Sequence, residues 1–181
     1  MASFLATATQ AAHSAITSLL SAAEIKPGGT VPTSVPVKED DAAQTFTFEG
    51  KLTGRNVFLG VPGAFTYACS KQVPTYIDAY DQFKAKGVDN VYVVAVNDTF
   101  CMKAWKKTLA PAGTPIHFIA DDKGIFVGAL GLLFDATQLL GGPRAKRFVI
   151  ATEGEKVTLV AVEPVPKEVT LTAVDKILPL L

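Results

Sequence analysis

The sequence predicts an α/β domain: a mixed central sheet with flanking helices, preceded by an N-terminal helical extension. Three observations carry this. From Gly50 onward, short apolar runs of strand length alternate with segments of helical spacing. The run Val91-Tyr92-Val93-Val94-Ala95-Val96 is apolar on both faces, as in a strand inside a parallel sheet covered by helices. Near the C-terminus, Arg147–Ala151 and Val157–Val162 flank Glu153-Gly154-Glu155, which reads as a hairpin.

Composition narrows the function classes. A length of 181 residues fits one domain plus an extension. Hydrophobic residues at 49% and charged residues at 19% fit a sizeable core and exclude a disordered chain. Seventeen Lys and Arg balance 17 Asp and Glu, which argues against nucleic acid or a polybasic membrane contact as partner. No apolar run reaches the roughly 20 residues needed to cross a bilayer as a helix. Two cysteines and two histidines, none close together, are too few for a structural zinc site of those ligands.

The elements follow in order. Over residues 1–24, Phe4, Leu5, Ala8, Ala12, Ile16, Leu19 and Leu20 favour one helical face. Thr7, Thr9, Gln10 and His13 interrupt the apolar core that a secretory signal needs. The absence of Arg speaks against a mitochondrial transit peptide, while the scarcity of acidic residues keeps that alternative open. Cytoplasm is the expected compartment. Lys26-Pro27-Gly28-Gly29 ends the extension, so the domain is expected over residues 25–181.

Asn56–Val61 reads as the first buried strand. Val73, Ile77, Tyr80 and Lys84 predict one helix that stops at Gly87. The strand Val91–Val96 comes next, and Asn97 and Asp98 can cap a helix carrying Phe100, Ala104, Trp105 and Leu109. Ile116–Ala120 is the third strand, and Ile125–Leu140 is helical or looped. The hairpin and a short helix over Thr172–Leu178 close the chain. Parallel crossovers, then an antiparallel pair and a last helix, make the thioredoxin-like arrangement.

Sites in open α/β sheets form beyond the carboxyl ends of strands. The first strand ends there at Pro62-Gly63-Ala64-Phe65-Thr66-Tyr67-Ala68-Cys69-Ser70. Pro62 and Gly63 make a tight turn and a helix follows. Cys69 then falls near the first turn of that helix, where free N–H groups and the positive end of the dipole favour a thiolate. Thr66 can aim its hydroxyl at the sulfur or at an oxygen bound to it. A small buried hydrophobe is the commoner fate of a lone cysteine, and that reading stands beside the nucleophile.

Pro62-x-x-x-Thr66-x-x-Cys69 matches the active-site motif of peroxiredoxins, and Gly60-Val61-Pro62-Gly63-Ala64-Phe65-Thr66 resembles the atypical, type II or peroxiredoxin 5-like subgroup. The likeness runs over roughly residues 25–181, through Lys84-Ala85-Lys86-Gly87-Val88, Val96-Asn97-Asp98 with Phe100 and Trp105, and Arg144-Ala145-Lys146-Arg147-Phe148. It implies reduction of hydrogen peroxide and alkyl hydroperoxides by a cysteine thiolate that cycles through sulfenic acid, with no metal and no bound cofactor. On the same resemblance Cys69 is the peroxidatic cysteine and Thr66 polarises the peroxide. Pro62 shields the sulfur from water, and Arg147 stabilises the negative charge that develops. Sequence alone does not choose Arg147 over Arg144 or Arg55. A homodimer is implied; Phe100 and Trp105 suit its contact if exposed, and a core role is equally open to them.

Three departures from the pattern matter. Tyr67 and Ala68 stand where relatives place Pro and a small residue. Cys69-Ser70-Lys71-Gln72-Val73-Pro74 is one residue short and lacks a usual histidine, and one residue is about 100° of helix rotation. No cysteine stands at the resolving positions of relatives, in the strand Val91–Val96 or around Leu171. The only other thiol is Cys101. Either it resolves the Cys69 sulfenic acid through an internal disulfide, or it fills an apolar site. The second reading makes the enzyme a one-cysteine peroxidase reduced by an external thiol such as glutathione, glutaredoxin or thioredoxin. A low-turnover peroxide sensor or redox interaction protein on the same fold is the alternative, and peroxide consumption separates the two.

Other features carry less. The chain has no Cys-x-x-Cys, so dithiol oxidoreductase chemistry is not expected. Gly128-x-x-Gly131 and Gly141-Gly142-Pro143 lack the strand, spacing and Lys of phosphate loops. His117 is expected to be structural, and Glu39-Asp40-Asp41 to be a solvated loop.

Overall fold

The computed structural model describes residues 18–181. Of the expected N-terminal helix, residues 1–17 lie outside the described residues, and residues 18–20 are helical. The chain then builds β1 (Arg55–Gly60), α1 (Tyr67–Asp78), α2 (Tyr80–Ala85), β2 (Val88–Ala95), α3 (Thr99–Leu109) and β3 (His117–Ala120). There follow α4 (Ile125–Ala129), β4 (Leu133–Asp135), α5 (Thr137–Leu140) and β5 (Pro143–Ala145). The hairpin of β6 (Phe148–Glu153) and β7 (Lys156–Val162) leads to α6 (Val174–Ile177) and a 3₁₀ turn at Leu178–Leu180.

The main sheet has the order β3-β2-β1-β6-β7. β1 pairs parallel with β2, and β2 with β3, whereas β6 runs antiparallel to both β1 and β7. The two-residue periodicity of the strands sorts the core into two layers. Val57, Leu59, Val91, Val93 and Val149 pack under the helices that carry Val73, Tyr76, Phe83, Met102, Trp105 and Ile177. Phe58, Tyr92, Val94, Ile119 and Ile150 face the other way, against Phe126, Val127, Leu130 and the N-terminal segment with Val31, Val37 and Phe48. The result is the mixed sheet with flanking helices that the periodicity predicts.

Several expectations need correction. The single helix ending at Gly87 is two helices. Ala79 breaks it at φ −89°, ψ 6°, and Pro74 has already removed one N–H from α1. The stretch Ile125–Leu140, read as helix or loop, holds α4 and α5 with the strand β4 between them, and β4 pairs antiparallel with β5 just beyond it in a separate two-stranded sheet. Its shape depends on tertiary contact: Gly131 has φ +69°, and a Cβ there would sit 2.2 Å from the Ala23 carbonyl oxygen. Trp105 is fully buried and donates to Ser70 Oγ at 3.1 Å, so it offers no surface contact, whereas Phe100 is 75% exposed. Glu39 is not in a solvated loop. It meets His117 Nδ1 at 3.1 Å and Lys106 Nζ at 3.8 Å. Burial pushes its carboxyl up, but His117, Lys106 and the Phe118 N–H outweigh that and hold it below the ordinary range.

Candidate active site

The carboxyl end of β1 is shaped by close approach. A Cβ on Gly60 would fall 2.0 Å from Phe148 Cε1, so only glycine lets β6 come this near. Beyond it, Val61 N–H donates to the Val94 carbonyl at 2.9 Å, and Ala64 N–H donates to Asn97 Oδ1 at 3.0 Å. Asp98 accepts from Cys101 N–H and caps α3, so Asn97 is left to tie the loop after β1 to the end of β2. Phe65 turns the chain through a left-handed φ of 61°, which costs a non-glycine residue about 1–2 kcal/mol. Thr66 then stands at the N-cap of α1 with φ −70° and ψ 150°.

Thr66 does not cap with its side chain. Its hydroxyl donates to the Gly63 carbonyl at 2.9 Å, which leaves the oxygen lone pairs to accept a proton from another group. Cys69 is the third residue of α1, in the first turn, whose N–H groups have no intrahelical acceptor. Cys69, Gln72, Val73 and Tyr76 form the buried face of the helix at i, i+3, i+4 and i+7. The Cys69 side chain is fully buried.

Arg147 stands one residue before β6 and is 1% exposed. Its Nη2 donates to Cys69 Sγ at 3.4 Å, its Nη1 to Gln72 Oε1 at 2.6 Å, and its Nε to the Pro166 carbonyl at 3.0 Å. A guanidinium that aims N–H groups along fixed directions at a buried sulfur is suited to stabilise negative charge there. Pro62, Thr66, Tyr67 and Arg147 line one cavity of about 560 Å³, whose other walls include Leu139 and Pro166. Four residues singled out in the sequence thus come together: Cys69, Thr66, Arg147 and Pro62. Arg144 and Arg55 lie elsewhere, donating to the Val96 and Lys86 carbonyls respectively.

Cys101 is not part of this group. It lies in the first turn of α3, partly buried, and both cysteines are free thiols. Burial first, and Asp98 second, push its thiol up, with Arg144 opposing. Sequence reading missed Gln72, which accepts from the guanidinium, Thr172, which accepts from Gln72, and Glu163, which accepts from Thr172. One signal was available: a Gln three residues after the cysteine, on the apolar side of the helix, needs buried partners. Among the described residues, no group of three His, Cys, Asp or Glu side chains could hold a metal ion.

The Redoxin family model matches residues 26–178 of the chain. The chain is 42% identical to Peroxisomal membrane associated protein 20 of Schizosaccharomyces pombe, over 83% of this chain and 96% of that protein. It is 43% identical to Peroxiredoxin-2C of Oryza sativa subsp. japonica, over 68% of this chain and 77% of the relative. Among solved structures, reduced Prx3 from Vibrio vulnificus in complex with hydrogen peroxide superposes with a TM-score of 0.78 at 34% identity, covering 87% and 99% of the two chains. Peroxiredoxin 5 from Alvinella pompejana superposes with a TM-score of 0.72 at 35% identity, covering 77% and 90%. With a family model over most of its length, relatives of this similarity and a thioredoxin-like sheet in common, the chain belongs to the Redoxin family and is a peroxiredoxin of the atypical type, a thiol-dependent peroxidase.

Proposed function

We propose that Cys69 is the peroxidatic cysteine of this enzyme and that Arg147, Thr66 and Pro62 complete its site, within a domain spanning residues 25–181 that an extension of residues 1–24 precedes. The observation that carries this reading is the 3.4 Å contact from Arg147 Nη2 to a fully buried Cys69 Sγ. That contact lies behind a cavity walled by Pro62 and Thr66. The sulfur attacks one oxygen of the hydroperoxide. An S–O bond forms as the O–O bond breaks, and the leaving oxygen takes a proton and departs as water or alcohol. Thr66 accepts a hydrogen bond from the peroxide because its own proton is engaged by Gly63. Arg147 offsets the charge that moves from sulfur to oxygen. Pro62 keeps water from the sulfur.

The cycle closes with an external thiol. It attacks the Cys69 sulfenic acid, a mixed disulfide forms and water leaves, and a second thiol releases the reduced enzyme. Glutathione with glutaredoxin, or thioredoxin, supplies these thiols. Cys101 is assigned a structural role because it is held in another helix and makes no contact with the Cys69–Arg147 group among the described hydrogen bonds. The enzyme is proposed to act as a homodimer in the cytoplasm, with the mitochondrion as the alternative compartment. Exposed Phe65, Tyr67 and Phe100 support a contact between copies near the site. Intact mass after one equivalent of peroxide, with and without a thiol-blocking reagent, tests the cycle. Gain of one oxygen at Cys69 is expected. Loss of two hydrogens with a mapped Cys69–Cys101 disulfide would give Cys101 the resolving role instead.

A further inference from the structure

We propose that Glu163 is a positioning residue for the peroxide-reducing step, acting on Arg147 through Thr172 and Gln72; this rests on the reading of Cys69 and Arg147 as the reacting pair. Glu163 follows β7 directly and is only 2% exposed, a rare burial for a carboxylate with no paired cation among the described residues. Its partners are all donors of its own C-terminal segment. Thr170 N–H and Oγ1 donate to it at 2.6 and 2.7 Å, and Thr172 N–H and Oγ1 at 2.8 and 2.9 Å. Burial raises the carboxyl, these bonds outweigh it, and the group is held below the ordinary range as an acceptor.

Folded back this way, segment 163–172 reaches the site by two routes. The Pro166 carbonyl accepts from Arg147 Nε at 3.0 Å. Thr172 receives Gln72 Nε2 on both its carbonyl and its hydroxyl oxygen at 2.9 Å. Tyr76 adds its hydroxyl to the same carbonyl at 2.6 Å. Gln72 is thereby fixed with its amide nitrogen toward Thr172 and its oxygen toward Arg147 Nη1, at 2.6 Å. A Gln anchored at one end has only one orientation for its other end. Glu163 also donates its backbone N–H to the Arg147 carbonyl at 2.9 Å, so it meets that residue directly at the backbone and through Thr172 and Gln72 at the guanidinium. With Nε and Nη1 both committed, the planar guanidinium has one way to lie, and Nη2 falls on the sulfur. Gln72, on the buried face of α1, brings this helix into the network.

The test compares wild type with Glu163→Gln, Thr172→Val, Thr172→Ser and Gln72→Leu in full-length protein, each normalised to titratable Cys69 thiol. The kcat/KM for hydrogen peroxide and that for the thiol reductant are measured separately, together with thermal stability. Glu163→Gln, Thr172→Val and Gln72→Leu are expected to lower the peroxide constant about tenfold or more, since small misplacements of a catalytic group cost on the order of 10²-fold. The reductant constant should change less than about threefold, by the same proximity reasoning. Thr172→Ser keeps the hydroxyl that stands between Gln72 and Glu163, and should restore most of the rate that Thr172→Val loses. A purely structural role would lower stability and leave both constants per active thiol unchanged, which overturns the proposal. So would equal loss in Thr172→Ser and Thr172→Val. Cys69→Ser serves as the control on the underlying reading: turnover surviving there removes the site assignment and this proposal with it. Loss there, with intact peroxide constants in the other variants, removes this proposal alone.

Discussion

Replacing Arg147 by Gln removes a fixed charge 3.4 Å from the Cys69 sulfur and leaves a shorter, neutral polar side chain. At an effective dielectric of about 20, a unit charge pair at this distance is worth about 5 kcal/mol. Part of that attraction also stabilises the ground-state thiolate, so not all of it appears in the barrier. What is lost is a preorganised donor aimed at developing charge, which elsewhere costs roughly 2.7–4 kcal/mol, or about 10²–10³ in rate. Gln cannot replace all three bonds of the guanidinium, so Gln72 Oε1 and the Pro166 carbonyl also lose a charged partner. Trp105, bonded through Nε1 to Ser70 beside Cys69, offers an intrinsic fluorescence signal for stopped-flow oxidation by peroxide. The expected result is a second-order rate at least about 10²-fold lower in Arg147→Gln. Arg144→Gln, whose arginine bonds to the Val96 and Leu140 carbonyls instead, should stay within a few-fold of wild type. A hundredfold loss in Arg144→Gln with little change in Arg147→Gln would refute the reasoning.

Cys69→Ser should abolish thiol-dependent peroxidase turnover and keep the fold, and more than a trace of remaining activity would remove Cys69 from its role. Cys101→Ala should keep turnover with a glutathione or glutaredoxin system; loss of thioredoxin-dependent turnover would make Cys101 the resolving thiol. Asp121 is buried, and burial raises its carboxyl to about 6 although the Val127 and Phe126 N–H groups pull the other way. A carboxyl raised in the folded state binds its proton more tightly there, so it costs stability as pH climbs from about 4 to about 6, by about 3 kcal/mol in all. The stability difference between wild type and Asp121→Asn should therefore shift in favour of the variant across that window, and parallel denaturation curves would contradict this. Gly60→Ala should destabilise strongly, because its Cβ would overlap the Phe148 ring at 2.0 Å, and chemical denaturation measures the loss.

The sequence by itself determined the sheet and the motif. Two-residue periodicity in Val57–Leu59 and Val91–Ala95, and the hairpin about Gly154, are local patterns that one arrangement of layers satisfies. Pro62, Thr66 and Cys69 are also local: a turn and the first turn of a helix set their spacing, so a motif can carry them. The tertiary structure decided the rest. Arg147 is 78 residues from Cys69, and only the antiparallel pairing of β6 with β1 brings it to the sulfur rather than Arg144 or Arg55. The β4–β5 pair and the burial of Trp105 depend likewise on contacts that arrive from elsewhere in the chain. Glu163 is the extreme case. In the sequence it is one more acidic residue before a proline, and nothing local separates it from a solvated one. Its meaning comes from being folded under β7 with four donors around it, because a charge can be kept from water only where other groups have been brought to replace that water.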